Sequence, residues 1–375
     1  MSIKVATKPP ADFRGIPGEI YQPDARAVLY FFSPELAKAG IERIIRERFP
    51  AIPCVGASMI GGWSSEGYVQ KGITAMSLSS DEIEETYVSF TTGVKADPVA
   101  ATRKVIQDIK RQMGHRTANP ATHVGIILFD GLCLGEEIMR EISTEEDFTI
   151  PLVGGAAADE LAFTETFVAS GDTMSGDGMV LLVMKMKVPF YYSHSVHYQP
   201  TKTTVIVTKA EPKKRIVWEI DGKPAAPYYA KLLGLSGVDA IKHIHFSRNP
   251  LGVCIGDTVF VRSPNAVIEG TGLQFYCYIE AGTRVSLLRQ GDIIEHTRSS
   301  IADARRYLPE IKGAVLFNCV LRYLEIQELK KEQEFNGLFS GYPFIGFNTY
   351  GEELFIHHNQ TLTMLFIGKG TENEQ

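Results

Sequence analysis

The chain has 375 residues, 44% of them hydrophobic, a composition that predicts a globular protein with a sizeable core and two or three domains. Its formal net charge of −6 disfavours a nucleic-acid partner, and its apolar runs are far shorter than the ~20 residues that cross a membrane. The amino terminus lacks an apolar signal core, and the five cysteines form no Cys-x-x-Cys pair. We therefore expect a cytoplasmic protein with reduced thiols.

Helices and short apolar strands alternate along the first half of the chain. Ser33-Pro34-Glu35 predicts the start of a helix that continues to Pro50, and Asp97-Pro98 predicts a second helix that ends at Gly114. A third helix covers roughly residues 133 to 146, and strands are predicted at residues 27–32, 73–78, 86–90, 123–129, 179–184 and 203–208. Such continuously apolar strands are typically covered on both faces, so helices must lie over a sheet.

A β-α-β-β pattern whose second strand begins with Pro-x-x-Gly occurs three times. The Pro-x-x-Gly motif of the three copies lies at residues 53–56, 151–154 and 343–346. Proline can begin a strand without losing a ladder hydrogen bond, and glycine permits a sharp turn or a close approach to a ligand. We predict a mixed α/β fold of repeated units, whose mixed sheets are covered by helices, in two pseudo-repeated halves.

A shift in composition at Thr201 to Arg215 is the best candidate for a domain boundary. The sequence therefore predicts an N-terminal extension over residues 1–24, a first domain over residues 25–205 and a second domain over residues 206–375.

Two carboxylates, two histidines and two amides fall between residues 352 and 360, the residue types of a metal site or an acid/base centre. If residues 353–358 form a strand, His357 and His358 point to opposite faces and cannot ligate one ion. We therefore expect no metal site, and a structural or hydrogen-bonding role for Asn359 and Gln360 in the following turn.

Three further places carry candidate binding groups, each with a plainer alternative. Gly154, Gly155 and Asp159 follow a buried strand and could offer backbone N–H groups to a ligand, or the glycines could serve close packing. Cys319 and Arg322 lie where a strand passes into a helix, so the thiol could be activated, or it could be a buried inert cysteine beside a surface arginine.

The segment from Phe190 to Tyr198 places His194 on an aromatic strand face, where it could ligate haem or could be a hydrogen-bonded structural histidine. Signatures of common enzymes are absent from the sequence: there is no Gly-x-Ser-x-Gly elbow, phosphate loop, dinucleotide motif or His-Glu-x-x-His.

Several of these motifs together resemble those of the FIST family of sensory domains, found in bacterial signalling proteins and in some F-box proteins. The similarity covers the chain from about residue 25 to its end. It rests on Gly-x-x-Thr-Tyr-Gly-Glu at 346–352, His-Asn-Gln-Thr at 358–361, Cys-x-x-Arg at 319–322, and the paired motifs at 53–58 and 151–156 with Asp159.

The resemblance implies a non-catalytic sensor that binds a small, amino-acid-like ligand in a cleft between the pseudo-repeated halves and signals through a separate protein, with an oligomer as one arrangement. The residues expected to line the site are Gly154, Gly155, Asp159, Cys319, Arg322, Gly346, Tyr350, Glu352 and Asn359. Arg322 suits a ligand carboxylate, and Glu352 suits an amine.

Two alternatives stay open at this point. Some stand-alone members of the family bind haem, sense nitric oxide and control a histidine kinase, which would make His194 the candidate ligand of haem b. The other alternative is an enzyme that uses Cys319 or the Glu352 region on an acyl or amino-acid substrate.

Overall fold

A computed structural model describes residues 3–114 and 118–370. The chain divides into two compact units. The larger unit comprises the chain up to Ser195, the segment Thr297–His357 and the chain from Leu362 onward, and the smaller unit comprises Val196–His296 and His358–Thr361. No helix in the described ranges is long and apolar enough to cross a membrane.

The first segment of the larger unit alternates strands and helices. Short 3-10 helices lie at Phe13–Gly15 and Pro34–Leu36. The regular elements are β1 (Ile3–Lys8), α1 (Ile16–Glu19), β2 (Ala25–Phe32), α2 (Ile41–Arg48), β3 (Cys54–Ser58), β4 (Gly62–Ser64), β5 (Gly67–Val69), β6 (Ile73–Ser79), β7 (Ile83–Thr92), α3 (Pro98–Met113), β8 (His123–Phe129), α4 (Gly135–Thr144), β9 (Leu152–Ala156), β10 (Val168–Ser170), β11 (Thr173–Ser175), β12 (Gly178–Met186) and β13 (Phe190–Ser195).

The remaining elements begin with those of the smaller unit, which also has 3-10 helices at Pro212–Lys214 and Val238–Ala240. They are β14 (Tyr198–Glu211), β15 (Ile216–Ile220), β16 (Lys223–Pro224), α5 (Ala225–Leu232), α6 (His243–Arg248), β17 (Leu251–Ile255), β18 (Thr258–Arg262), β19 (Pro264–Ile268), β20 (Gly272–Phe275), β21 (Arg284–Gln290), α7 (Ile293–Tyr307), β22 (Ile311–Cys319), α8 (Val320–Glu328), α9 (Glu332–Gly337), β23 (Phe344–Thr349), β24 (Glu352–Leu354), β25 (Ile356–His358) and β26 (Leu362–Gly368).

The three predicted repeats have the same strand pairing. In each, the first strand lies between a parallel second strand and an antiparallel third strand: β2 between β3 and β6, β8 between β9 and β12, and β22 between β23 and β26. Parallel strands require a crossover, which a helix supplies in each copy. The mixed α/β class and the repeated β-α-β-β unit are therefore confirmed, and all three copies lie in the larger unit.

Three sheets of the larger unit share one apolar core. Their strand orders are β1-β6-β2-β3-β10-β11, β25-β24-β9-β8-β12-β7 and β13-β26-β22-β23-β4-β5. The first strand of each repeat contributes alternate residues to this core, including Phe31, Leu128 and Phe317. Tyr30 on the opposite face of β2 and Phe129 on the opposite face of β8 pack in separate clusters with the helices. Both faces of these strands are covered, as their apolar sequences predicted.

The structure differs from the sequence predictions at two places before β3. The helix predicted from Ser33 to Pro50 is divided, because Gly40 takes a left-handed conformation (φ 70°) that no α-helix continues through. A 3-10 turn precedes this glycine and α2 follows it. The segment 1–24, which we set apart as an extension, contributes β1, which pairs with β6 from Ile3 to Lys8.

The smaller unit contains an antiparallel sheet with the order β18-β17-β21-β14-β15-β20-β19. Its core includes Val205, Val217, Leu273 and Val285, with α5 and α6 packed against it through Tyr229 and Phe246. The chain enters this unit after the second repeat, leaves it before the third, and returns to it at His358–Thr361 within the third.

The glycine that each repeat carries in its second strand is explained by the parallel pairing. A Cβ atom would lie 2.7 Å from the Tyr30 carbonyl oxygen at Gly56, 1.9 Å from that of Ile127 at Gly154, and 2.7 Å from that of Leu316 at Gly346. At each of these distances a Cβ atom would clash with the carbonyl oxygen of the neighbouring strand. Only glycine therefore permits the two parallel strands to lie this close.

We expect Gly154→Ala to destabilise the protein by ~1–3 kcal/mol or more, because the new methyl group must displace the backbone of β8. Chemical denaturation measures this loss. Gly18→Ala is the matched control, since nothing lies within 4 Å of a Cβ at that position. Equal stability of the two variants would contradict the explanation.

Candidate functional site

The three repeats meet where β23 ends. Thr349, the last residue of β23, is paired in register with Cys319, the last residue of β22. The side-chain amide of Asn348 donates to the Ile60 carbonyl oxygen at 2.8 Å, beyond the end of β3, and Glu352 pairs with Gly155 of β9. The carboxyl ends of parallel strands are the usual position of ligands in α/β proteins. These strand ends are therefore the candidate site. We call the buried polar residues at and just after them, Cys319, Arg322, Asn348, Thr349, Glu352 and Glu353, the strand-end cluster.

Arg322 lies in the first turn of α8 and has no exposed surface. Its Nε donates to Asn318 Oδ1 at 3.1 Å, and its Nη2 donates to Thr297 Oγ1 at 2.9 Å. Asn318 in turn donates to Asn348 Oδ1 at 2.9 Å, as does the indole of Trp63 at 2.7 Å. A chain of neutral side chains thus holds a buried cation in one orientation.

Glu352 is also completely buried, and Thr349 donates to its Oε1 at 2.8 Å. The structure therefore places Cys319 at the end of β22, and Arg322 and Glu352 three residues after the ends of β22 and β23. The alternative in which Arg322 lies on the surface is wrong, because α8 turns this side chain inward.

Glu353 and His357 form a buried pair that the sequence analysis did not select. His357 Nδ1 lies 2.7 Å from Glu353 Oε1, while Glu353 Oε2 is buried without a hydrogen-bond partner among the described residues. Burial raises the pKa of Glu353 to about 7, against the opposing effect of His357. The continuous strand considered for residues 353–358 is interrupted by Phe355, whose φ of 60° separates β24 from β25.

We expect the stability of the protein, relative to Glu353→Gln, to fall as pH rises from 5 to 8. The folded state holds the Glu353 proton above its ordinary pKa of 4.5, so the resulting stabilisation is complete below that value and is lost as pH rises through about 7. The difference should be on the order of 2 kcal/mol, since one pKa unit corresponds to ~1.4 kcal/mol.

Urea denaturation of both proteins across this pH range measures the effect, and glutamine is suited as the reference because it mimics the neutral carboxyl. Two parallel stability curves would show that Glu353 titrates in the folded protein as it does in the unfolded chain.

Asp159 and Tyr350, both predicted site residues, are hydrogen-bonded to each other, with the Tyr350 hydroxyl donating to the carboxylate. Asp159 also accepts from the backbone N–H groups of Phe163 and Thr164 at 3.0 and 2.8 Å. Burial acts to raise the pKa of Asp159, but these hydrogen bonds hold it below its ordinary value. Burial and the bond to Asp159 raise the pKa of Tyr350, which keeps its hydroxyl a donor. Together the two residues anchor the loop after β9.

The predicted glycines and Asn359 differ in their surroundings. The space beside Gly154 and Gly346 is filled by the neighbouring strand, and a Cβ at Gly155 would lie 2.7 Å from Thr349 Cγ2. These distances favour the close-packing interpretation for the glycines.

Asn359 belongs to the smaller unit, where its Oδ1 and the Oε1 of Gln360 are buried without a hydrogen-bond partner among the described residues.

His194 lies on β13 beside a cavity of about 250 Å³ in the larger unit. Burial lowers the pKa of His194, which keeps the imidazole neutral and able to act as a ligand. The cavity is nevertheless smaller than the ~300–1,000 Å³ that holds a drug-sized molecule, and haem is larger than most of these. The surroundings of His194 therefore do not fit haem. Within residues 3–114 and 118–370, no group of three or more His, Cys, Asp or Glu residues could hold a metal ion.

We expect native-state labelling with iodoacetamide at neutral pH to modify Cys254 and to spare Cys319. Cys254 is exposed, whereas Cys319 is 1% exposed, and alkylation requires an accessible thiolate. Peptide mass spectrometry after quenching reads out both residues in one sample, so Cys254 serves as the internal control. Labelling of Cys319 as fast as that of Cys254 would support the cysteine-enzyme alternative.

Two family models match the chain, the FIST N domain over residues 26–223 and the FIST C domain over residues 225–354. The chain belongs to the FIST family. The family that the sequence motifs resembled is therefore confirmed.

Other similarities are more distant. The chain is 29% identical over 197 residues to an uncharacterised protein of Methanocaldococcus jannaschii, an alignment that covers 50% of this chain and 36% of that protein. The chain therefore spans about a third of the length of this relative. A crystal structure of a chorismatase aligns over 98% of this chain and 99% of its own, with 9% identity and a TM-score of 0.36.

Proposed function

We propose that this FIST protein is a sensor that binds a small, amino-acid-like ligand at the strand-end cluster and passes the signal to a separate partner protein. The observation that carries the proposal is Arg322, a fully buried guanidinium at the carboxyl ends of the parallel strands β22 and β23. Burying a charge is costly, and strongly constrained buried charges concentrate at functional sites.

The chemistry of the cluster matches both ends of an amino acid. A guanidinium binds a carboxylate through two parallel hydrogen bonds, and Asn318 and Thr297 already orient that of Arg322. Glu352 supplies the complementary carboxylate for an amine.

The output of the sensor rests on a partner, and a histidine kinase is one candidate. Because coupling between two binding sites is reciprocal, the ligand should change the affinity for the partner by the same factor by which the partner changes the affinity for the ligand.

Isothermal calorimetry with a panel of amino acids tests the ligand class without any substitution. We expect at least one amino acid to bind, while its decarboxylated amine and its deaminated acid bind at least about tenfold more weakly, since each lacks one charged contact. Arg322→Lys should weaken binding by a similar factor, because an ammonium cannot form the paired hydrogen bonds of a guanidinium.

Arg26→Lys is the matched control, since Arg26 lies exposed on β2. Thermal unfolding of each variant establishes that it is folded before its affinity is compared. No heat with any amino acid, or an affinity that Arg322→Lys leaves unchanged, would overturn the proposal.

A further inference from the structure

A pocket of the larger unit lies beside β13. Its cavity of about 250 Å³ is lined by residues 191–194 of β13, by Ser300 and Asp303 of α7, and by Leu354 and Phe355. Tyr191 of β13 stacks on Tyr307 of α7 with ring centroids 4.7 Å apart, which joins the strand to the helix beside the cavity. The size suits a molecule smaller than a typical drug.

The walls of this pocket favour a positive charge. Tyr191, Tyr192 and Phe355 present aromatic rings, whose faces attract cations, and Asp303 supplies a carboxylate. Arg306 pairs with Asp303 at 2.9 Å, but the two side chains are 78% and 49% exposed, so the pair is weak and open to competition. His194 adds no charge, because burial lowers its pKa.

One residue of the lining has an unusual backbone conformation. Phe355 has a left-handed backbone (φ 60°) and yet leaves its side chain 59% exposed. Its ring meets that of Tyr192 edge to face, with centroids 5.6 Å apart. Strain of this kind in a bulky residue is typical of functional positions.

We propose that this pocket binds a small organic ammonium ion, held by the rings of Tyr192 and Phe355 and by the carboxylate of Asp303. None of these three side chains belongs to the site proposed for the amino-acid-like ligand.

Ligand-observed NMR titration tests the proposal with isobutylammonium as the probe and isobutanol as its neutral counterpart, because the two differ only in the charged group. We expect saturable binding of the ammonium, with the alcohol at least about fivefold weaker. Asp303→Asn removes the charge at a half-exposed position, and Phe355→Leu removes the ring while retaining apolar bulk. Each substitution should weaken ammonium binding about fivefold, as expected for the loss of one exposed cation contact.

Asp172→Asn is the control for unspecific charge effects, since Asp172 is an exposed acid between β10 and β11. Glu352→Gln separates the two sites, because it should leave ammonium binding in this pocket unchanged. Absence of saturable binding, equal binding of the alcohol, or ammonium binding that depends on Glu352 but not on Asp303 and Phe355 would overturn the inference.

Discussion

Each repeat of the larger unit contains two strands that run parallel, and the rest of that unit depends on this pairing. Parallel strands cannot be joined by a hairpin, so each repeat needs a crossover helix, which covers one sheet face and leaves the other for the shared core. Parallel strands also end at the same edge. Asn318 and Asn348 are 30 positions apart in the chain, and Asn318 Nδ2 therefore donates to Asn348 Oδ1 at 2.9 Å. Asn318 Oδ1 in turn accepts a hydrogen bond from Arg322.

The strand-end cluster concentrates charge in a place where charge is unfavourable. Arg322, Glu352 and Glu353 have no exposed surface, and removing an ion from water carries a penalty of several kcal/mol. Neutral donors and acceptors offset part of that penalty by fixing the geometry of the charged groups, and Glu353 avoids it by keeping its proton to a higher pH. A core built only for stability would be expected to use apolar side chains here, which is why we propose ligand binding at this cluster.

Much of the fold could be predicted because its determinants are local. The apolar run at 123–129 is β8 residue for residue, and Asp97 caps α3 with its side chain 2.9 Å from the Ala100 N–H. The predictions from local patterns were wrong where the backbone conformation of a single residue differs from that of its neighbours. Gly40 interrupts the predicted helix. Phe355 interrupts the predicted strand, although phenylalanine rarely adopts a positive φ. Glu353 was visible only as one of two carboxylates between residues 352 and 360, and the pocket beside Asp303 had no sequence signal, because the surroundings of both depend on distant side chains.

The mixed α/β class, the three repeats, the family and the residue types at the strand ends could all be predicted from the sequence alone. These follow from periodicity and short motifs, which the order of residues contains directly. The packed fold was needed to see that Arg322 is buried, that the repeat glycines face carbonyl oxygens of the neighbouring strand, and that Glu353 contacts His357 while its other oxygen has no hydrogen-bond partner among the described residues. Burial and partner choice are properties of the packed chain, since the same arginine or glutamate would be an ordinary solvated charge if its element turned the other way.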